Sequence, residues 1–199
     1  MFGLAEGELI DAHLQTFLEY LFAAMGVYWI VRTKRSGAKE KGEGNAFRVL
    51  RLTILVVTFA LLFSSWLRIG PLGWRFVPRN QAIEIAGTIM AVAGLTITVW
   101  AREHLGRNWS DKVEIKVDHE LIRSGPYAHM RHPIYSGFLL AAIGTVVAFG
   151  QVRGLLATSL ALLVMLQKIR LEETYMTEQF RGEYLSYQRK VKALIPFVW

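Results

Sequence analysis

The stretches Leu52 to Leu67, Ile85 to Ala101, Ile134 to Val152 and Gly154 to Gln167 contain no Asp, Glu, Lys or Arg, and Ala12 to Val31 contains only Glu19. A membrane-crossing helix needs about 20 predominantly apolar residues at roughly 1.5 Å rise each. Each block reaches that length once a polar or snorkelling flank is added. The chain of 199 residues is 53% hydrophobic, above the roughly 45–50% of soluble domains, and the surplus is concentrated in these blocks. The expected fold class is therefore an all-α integral membrane protein with about five transmembrane helices.

Orientation follows from the basic residues, because Lys and Arg gather in short loops that stay in the cytosol. The first connection carries Arg32, Lys34, Arg35, Lys39, Lys41, Arg48 and Arg51, and the third (Arg102 to Arg131) and the tail from Lys168 are also basic. The second has Arg68, Arg75 and Arg79, the fourth only Arg153. This places the N-terminus outside and the C-terminus in the cytosol. The net charge of +7 then reflects topology and attraction to anionic membrane lipids. Nucleic acid is not an expected partner, because no basic stripe interleaved with exposed aromatics occurs. Glu6, Glu8 and Asp11 precede any basic residue, the reverse of a cleavable signal peptide. The absence of cysteine excludes disulfides, thiolate metal sites and a catalytic thiol.

No repeat or long polar linker divides the chain, so 1–199 reads as one domain, with three spans in 1–101 and a second half in 102–199. Asn80 is placed to cap the third span and Pro133 to open the fourth. Gly150 and Gly154 bracket Arg153, which predicts a tight helical hairpin of the fourth and fifth spans. The pairs Gly87/Ala91, Gly94/Thr98, Gly137/Ala141 and Gly144/Ala148 permit close helix approach in lipid, although that spacing is common by chance. Ser36 to Asn45 reads as a flexible charged loop. Val113, Ile115 and Val117 alternate with charged residues as in a short strand, with Leu121–Ile122 as its partner in a small cytosolic cap. Met176, Phe180, Tyr184, Tyr187 and Val191 recur at helical spacing, predicting a C-terminal amphipathic helix with tyrosines at the membrane interface.

Two clusters could carry chemistry. Ser124 to Gly137 sets a Gly-Pro turn, two histidines, an arginine and two tyrosines against the start of a span. An interfacial anchor would explain it; so would a site, since a helix start at Pro133 offers N–H groups and partial positive charge to a carboxylate. Lys168 to Glu173 lies at the same depth if the hairpin closes. Adjacent helical residues point about 100° apart, so Glu172 and Glu173 must divide their duties, one pairing with Lys168 and the other facing a pocket, unless both only balance local cations. His129 and His132 make a poor metal pair beside Pro133, and no metal is expected.

Gly125-Pro-Tyr127, Arg131-His-Pro-Ile-Tyr-Ser-Gly137, Glu172–Glu173, Phe180-Arg-Gly-Glu-Tyr184 and Pro196, preceded by Leu105-Gly-Arg-Asn-Trp-Ser110, together resemble the isoprenylcysteine carboxyl methyltransferase family and its phospholipid methyltransferase relatives, in the prokaryotic branch. The resemblance implies an S-adenosylmethionine-dependent enzyme with a cytosolic cofactor pocket in 102–199. It implies cofactor contacts from Gly125, Tyr127, His129, Met130, Arg131, His132, Pro133, Tyr135, Gly137 and one or both of Glu172 and Glu173, with Pro133 opening a site for the cofactor's carboxylate. Arg131, Arg170 and Glu173 are the candidates for catalytic roles, Arg131 or Arg170 steering an anionic acceptor. The acceptor would be a lipophilic or lipidated molecule from the bilayer, foremost the carboxylate of an isoprenylcysteine-like substrate. The alternatives are N-methylation of a lipid amine, or an NADPH-dependent reductase of the steroid-reductase type.

Overall fold

The computed structural model describes residues 2–33, 39–42, 45–109, 114–116 and 120–196. The charge-poor blocks fall in order on helices α1 (Phe2–Thr33), α2 (Asn45–Phe63), α3 (Gln81–Leu105), α4 (Pro133–Phe149) and α5 (Val152–Lys190). His13–Arg32, Gln81–Leu105 and Val152–Lys190 are long and apolar enough to cross a membrane, while Val49–Phe63 and Pro133–Phe149 are shorter apolar helices. Ser64 to Leu67 leaves the helix that its apolar composition predicted and ends in a 3₁₀ turn. Asn80 caps α3 as expected, its side chain accepting from the N–H groups of Ala82 at 2.9 Å and Ile83 at 3.3 Å.

The small residues weighed lightly in the sequence build the tightest seam in the bundle. A Cβ added at Gly87 would lie 2.5 Å from the Ala148 backbone nitrogen, one at Gly94 2.5 Å from that of Ala141, and one at Gly144 2.5 Å from that of Ala91. α3 and α4 therefore meet backbone to backbone, and Thr98 reaches across to donate to the Ile134 carbonyl at 3.4 Å. In lipid, where apolar side chains gain nothing by leaving their surroundings, such contact supplies the packing that holds helices together.

The predicted hairpin is present: α4 ends at Gly150, which adopts φ +60°, and α5 starts at Val152. The α2–α3 connection clamps this turn, with the Phe76 N–H donating to the Gly150 carbonyl at 2.9 Å and the Val152 N–H to the Trp74 carbonyl at 2.9 Å. Around it Leu18, Leu61, Leu62, Phe63, Val146 and Ala157 form a closed apolar plug. At the opposite end the helices splay and leave a cavity between them.

Two expectations change. Strand β2 (Glu114–Lys116) does not return onto Leu121–Ile122 but pairs antiparallel with β1 (Lys39–Gly42), which lies inside the loop expected to be irregular. Both connections leave the same end of the bundle, so their backbones can meet edge to edge; Val113 and Val117 lie outside the described residues. The C-terminal amphipathic helix is not separate but the last part of α5, redirected at Arg181, whose φ of 46° and ψ of −121° break the helical path. The redirection turns Tyr184 and Tyr187 inward, 3% and 6% exposed, instead of toward a membrane interface.

Candidate active site

A cavity of about 500 Å³ lies between the splayed ends of α1, α2, α4 and α5, within the roughly 300–1,000 Å³ usual for small-molecule sites. One end is polar, formed by Arg131, His132, Tyr135, Lys168 and Glu172, with Arg51 and Glu120 on other walls. The remainder is apolar and runs between Phe22 and Met25 of α1, Leu55 and Phe59 of α2, and Val164 and Met165 of α5. Leu55 and Phe59 also face outward, 40% and 44% exposed. Gly26, also on the wall, is exposed with no atom within 4 Å of an added Cβ. The apolar part therefore opens to the outside along α1 and α2.

The polar end is set by the two carboxylates, whose duties are divided by helix geometry. Glu172 faces the cavity, accepts from the Tyr135 hydroxyl at 2.5 Å and lies 3.8 Å from Lys168 Nζ. Glu173 turns away from it. Its Oε1 accepts from Arg131 Nε at 2.8 Å and Nη2 at 2.6 Å, and its Oε2 from Gln188 at 3.0 Å. The Arg131 guanidinium is further occupied by the carbonyls of Gln188 and Val191. His132 stands between the carboxylates, Nε2 3.1 Å from Glu173 and Nδ1 3.5 Å from Glu172. Burial opposes charge on this imidazole, but the two carboxylates outweigh it and hold its pKa above the ordinary value. In that charged form both ring nitrogens donate. Its ring is stacked with Tyr135, centroids 5.7 Å apart and planes at 20°.

The segment leading into α4 is pinned from both sides. His104, at the end of α3, bonds Ser124 Oγ at 2.9 Å and stacks on Tyr127. Tyr127 is buried, which pushes its phenol far above the ordinary range, and its carbonyl accepts from the Tyr187 hydroxyl at 2.5 Å. The chain after α5 then runs back as a strap. Its Lys192 and Ala193 carbonyls accept from the N–H groups of Arg131 at 2.8 Å and His132 at 3.0 Å, and the Leu194 carbonyl from Ser136 Oγ at 2.6 Å. The N–H groups of Arg131 and His132, just ahead of Pro133, are thus engaged by the chain's own carbonyls.

Of the residues singled out in the sequence, Tyr127, Arg131, His132, Tyr135 and Glu172 line the cavity. Glu173 stands behind them. Gly137 lies at the α3–α4 seam, where an added Cβ would come 2.5 Å from the Gly94 carbonyl oxygen, and Gly125 adopts φ +58° beneath His104. Pro133 is fully buried, Met130 pairs with Lys192, and His129 and Arg170 are exposed, all away from the cavity wall. Trp29 and Arg51 on the wall were not anticipated. Asn108 and Trp109 also line it, as the Leu105-to-Ser110 resemblance allows. Trp109 meets Trp29 edge-on at 5.5 Å and carries Arg102 over its ring at 4.1 Å.

Comparison with known proteins points one way. The pattern of the isoprenylcysteine carboxyl methyltransferase family matches residues 87–178. A protein-S-isoprenylcysteine O-methyltransferase of Saccharomyces cerevisiae is 33% identical over 129 residues, covering 60% of this chain and 51% of its own. A probable enzyme of that name from Oryza sativa subsp. indica is 34% identical over 119 residues, covering 58% and 62%. The Homo sapiens protein is 30% identical over 142 residues, covering 68% and 49%. The chain thus spans about half to three-fifths of the length of these relatives. Among solved structures, the eukaryotic intramembrane Ras methyltransferase of this family superposes with a TM-score of 0.54 at 24% identity, over 77% of this chain and 52% of that one, a likeness of fold.

Proposed function

We propose that this chain, which carries the isoprenylcysteine carboxyl methyltransferase pattern over residues 87–178, is a membrane methyltransferase that uses S-adenosylmethionine to methylate the carboxylate of a lipophilic, isoprenylcysteine-like acceptor. The observation that carries this reading is the cavity, which joins a carboxylate-bearing polar end to an apolar channel opening sideways.

The polar end fits the cofactor. Glu172 presents a carboxylate to a positively charged, polar ligand, and Trp29, Trp109 and Tyr135 offer ring faces for a purine or a sulfonium. S-adenosylmethionine supplies an electrophilic methyl on a positively charged sulfur, which an ionised carboxylate can accept with no proton to remove. An acceptor carboxyl of ordinary pKa near 4 is ionised at neutral pH, so the protein needs no general base. The work left to the residues is placement, which can contribute roughly 7–11 kcal/mol where the geometry is good. Tyr135 and His132 fix the direction of the Glu172 carboxylate; Glu173 holds Arg131 and, through Gln188, the redirected end of α5. The apolar channel along α1, α2 and α5 keeps water from the reacting end and accepts the acceptor's hydrocarbon. In this reading the polar end faces the cytosol, as the loop charges require.

The test uses the purified protein in lipid nanodiscs. It should bind S-adenosylhomocysteine and transfer labelled methyl from S-adenosylmethionine to a prenylcysteine analogue in preference to phosphatidylethanolamine. Binding of NADPH with none of S-adenosylhomocysteine would overturn the assignment, and methylation of the lipid amine alone would overturn the acceptor class.

A further inference from the structure

Residues 64–80, which join α2 to α3 at the end of the bundle away from the cavity's polar end, contain Arg68, Arg75 and Arg79 and no Asp or Glu. They also carry large apolar side chains on the outside. Trp66 is 89% exposed and Trp74 66%, with Ile69 and Phe76 exposed beside them. We propose that this connection is a membrane-interface anchor, whose outward rings lie at the boundary between headgroups and acyl chains and whose arginines complement lipid phosphate. The partner is a lipid surface, and the proposal stands apart from the methyltransferase reading.

The exposure is not that of an unpacked loop. The Phe76 N–H donates to the Gly150 carbonyl and the Val152 N–H to the Trp74 carbonyl, each at 2.9 Å, so this backbone is fixed to the α4–α5 hairpin. Trp74 is extended and Arg75 bridges to Gln151, and neighbouring side chains of extended backbone point to opposite faces. Arg75 turns inward, 3.6 Å from the buried Glu84, and Trp74 and Phe76 turn outward. Water would favour the reverse, with the charge outside and the rings within. A lipid surroundings favours the arrangement observed.

Depth follows from the backbone. The 3₁₀ turns Ser65–Leu67 and Gly70–Gly73 bury no residue. Irregular backbone exposed to lipid is excluded from the hydrocarbon core, where its N–H and C=O groups would lack partners. The interface satisfies both demands, since water and headgroups solvate the backbone while Trp, apolar with one polar N–H, is favoured there. The helices that end at this connection agree. Val49–Phe63 and Pro133–Phe149 are short apolar helices, rising roughly 22 and 25 Å at about 1.5 Å per residue. Both fall short of the roughly 30 Å hydrocarbon core, so the rings of the connection continue the lipid-facing surface where the helices stop. Ile85 and Ile89, in the first turns of α3, are exposed as well.

The test places the purified protein in phosphatidylcholine nanodiscs containing lipids spin-labelled either near the headgroup or near the end of the acyl chain. Tryptophan emission is compared between wild type and Trp66→Phe, and between wild type and Trp74→Phe, so that each difference reports one ring. Each difference emission should be quenched at least about twofold more by the shallow label than by the deep one, as residence at the interface requires. Iodide in the water should quench it far less than it quenches free tryptophan. Quenching by iodide as strong as for free tryptophan, with none by either lipid label, would put the connection in water and overturn the proposal. Stronger quenching by the deep label overturns it as well. Protection from iodide and from both lipid labels would mean that protein, such as a second copy of this chain, covers the face, and also refutes the anchor. If one variant does not fold, the other decides by the same criteria.

Discussion

Glu172 and Glu173 are chemically identical neighbours in separate environments, and substitution should separate them. Glu172→Gln keeps the size and the Tyr135 contact but removes the charge facing the cavity. S-adenosylhomocysteine affinity should fall about 10- to 100-fold by calorimetry, the scale of one hydrogen bond to a charged group, with little change in unfolding temperature. Glu173→Ala should do the reverse, costing about 3–5 kcal/mol of stability because Arg131, with its side chain 11% exposed, loses its carboxylate. A larger binding defect in Glu173→Ala than in Glu172→Gln, at equal folding, would assign the roles the other way. His132 adds a pH dependence whose sign is set by its raised pKa. The folded state holds the proton more tightly than the unfolded chain, so its contribution is fully present below about pH 6.5, the ordinary imidazole value, and is lost as pH rises through the raised value. Thermal unfolding should show stability falling over that window in wild type and not in His132→Gln. The sequence required the two carboxylates to face apart, since adjacent helical residues cannot face the same way. The expected split between a Lys168 partner and a pocket carboxylate does not hold: Glu172 both faces the cavity and lies 3.8 Å from Lys168, while Glu173 pairs with Arg131. The sequence did not show which faced the cavity, because that depends on where the α5 axis lies relative to α4, and the strap from Lys192 to Leu194 that closes the other side carries no pattern of its own.

Between elements, the α3–α4 seam decides where the site stands, since α4 starts at Pro133, directly after His132, and its early turns are locked to α3 by Gly94, Thr98 and Gly137. Gly94→Ala places a Cβ 2.5 Å from the Ala141 nitrogen, so the helices must part, at a cost of about 1–3 kcal/mol typical of overpacking. Gly26→Ala is the internal control. With nothing within 4 Å of its Cβ, it should stabilise by up to about 1 kcal/mol through helix propensity alone. Unfolding temperatures of both variants in one detergent check the pair, and a neutral Gly94→Ala would mean that the seam yields. The small-residue spacings were visible from the start, but chance produces them too often for spacing alone to mark a seam; opposing glycines on two helices at matched depth give it weight. The spans were legible because charge-free blocks have few other uses. The β1–β2 pairing was not, because it joins segments about 75 positions apart whose proximity only the assembled bundle creates. The inward turn of Tyr184 and Tyr187 was hidden because it depends on Arg181 adopting a backbone conformation that non-glycine residues seldom use.

For the molecule as a whole, the cavity joins two solvents: a polar end beside the strap, and an apolar channel that opens along α1 and α2 where Leu52, Leu55 and Phe59 are 43%, 40% and 44% exposed. If a hydrocarbon chain enters there, narrowing the opening should penalise acceptors in proportion to chain length and leave the cofactor end untouched. Gly26 provides the means, because it lies on the wall, faces outward and has open space around it. In Gly26→Phe the ring starts from a Cβ with nothing within 4 Å of it, so folding and S-adenosylhomocysteine affinity should match wild type within about twofold. The kcat/KM for a farnesylated cysteine acceptor should drop about tenfold, roughly the 1.4 kcal/mol that loss of part of an apolar contact amounts to. An S-butyl analogue, whose chain ends before the narrowed section, should lose much less. Equal losses for both acceptors would show that Gly26 acts on the polar end and that the side opening is not the route. A loss confined to the long chain would assign the first two helices, which lie outside the family-matched residues, to acceptor entry and selection.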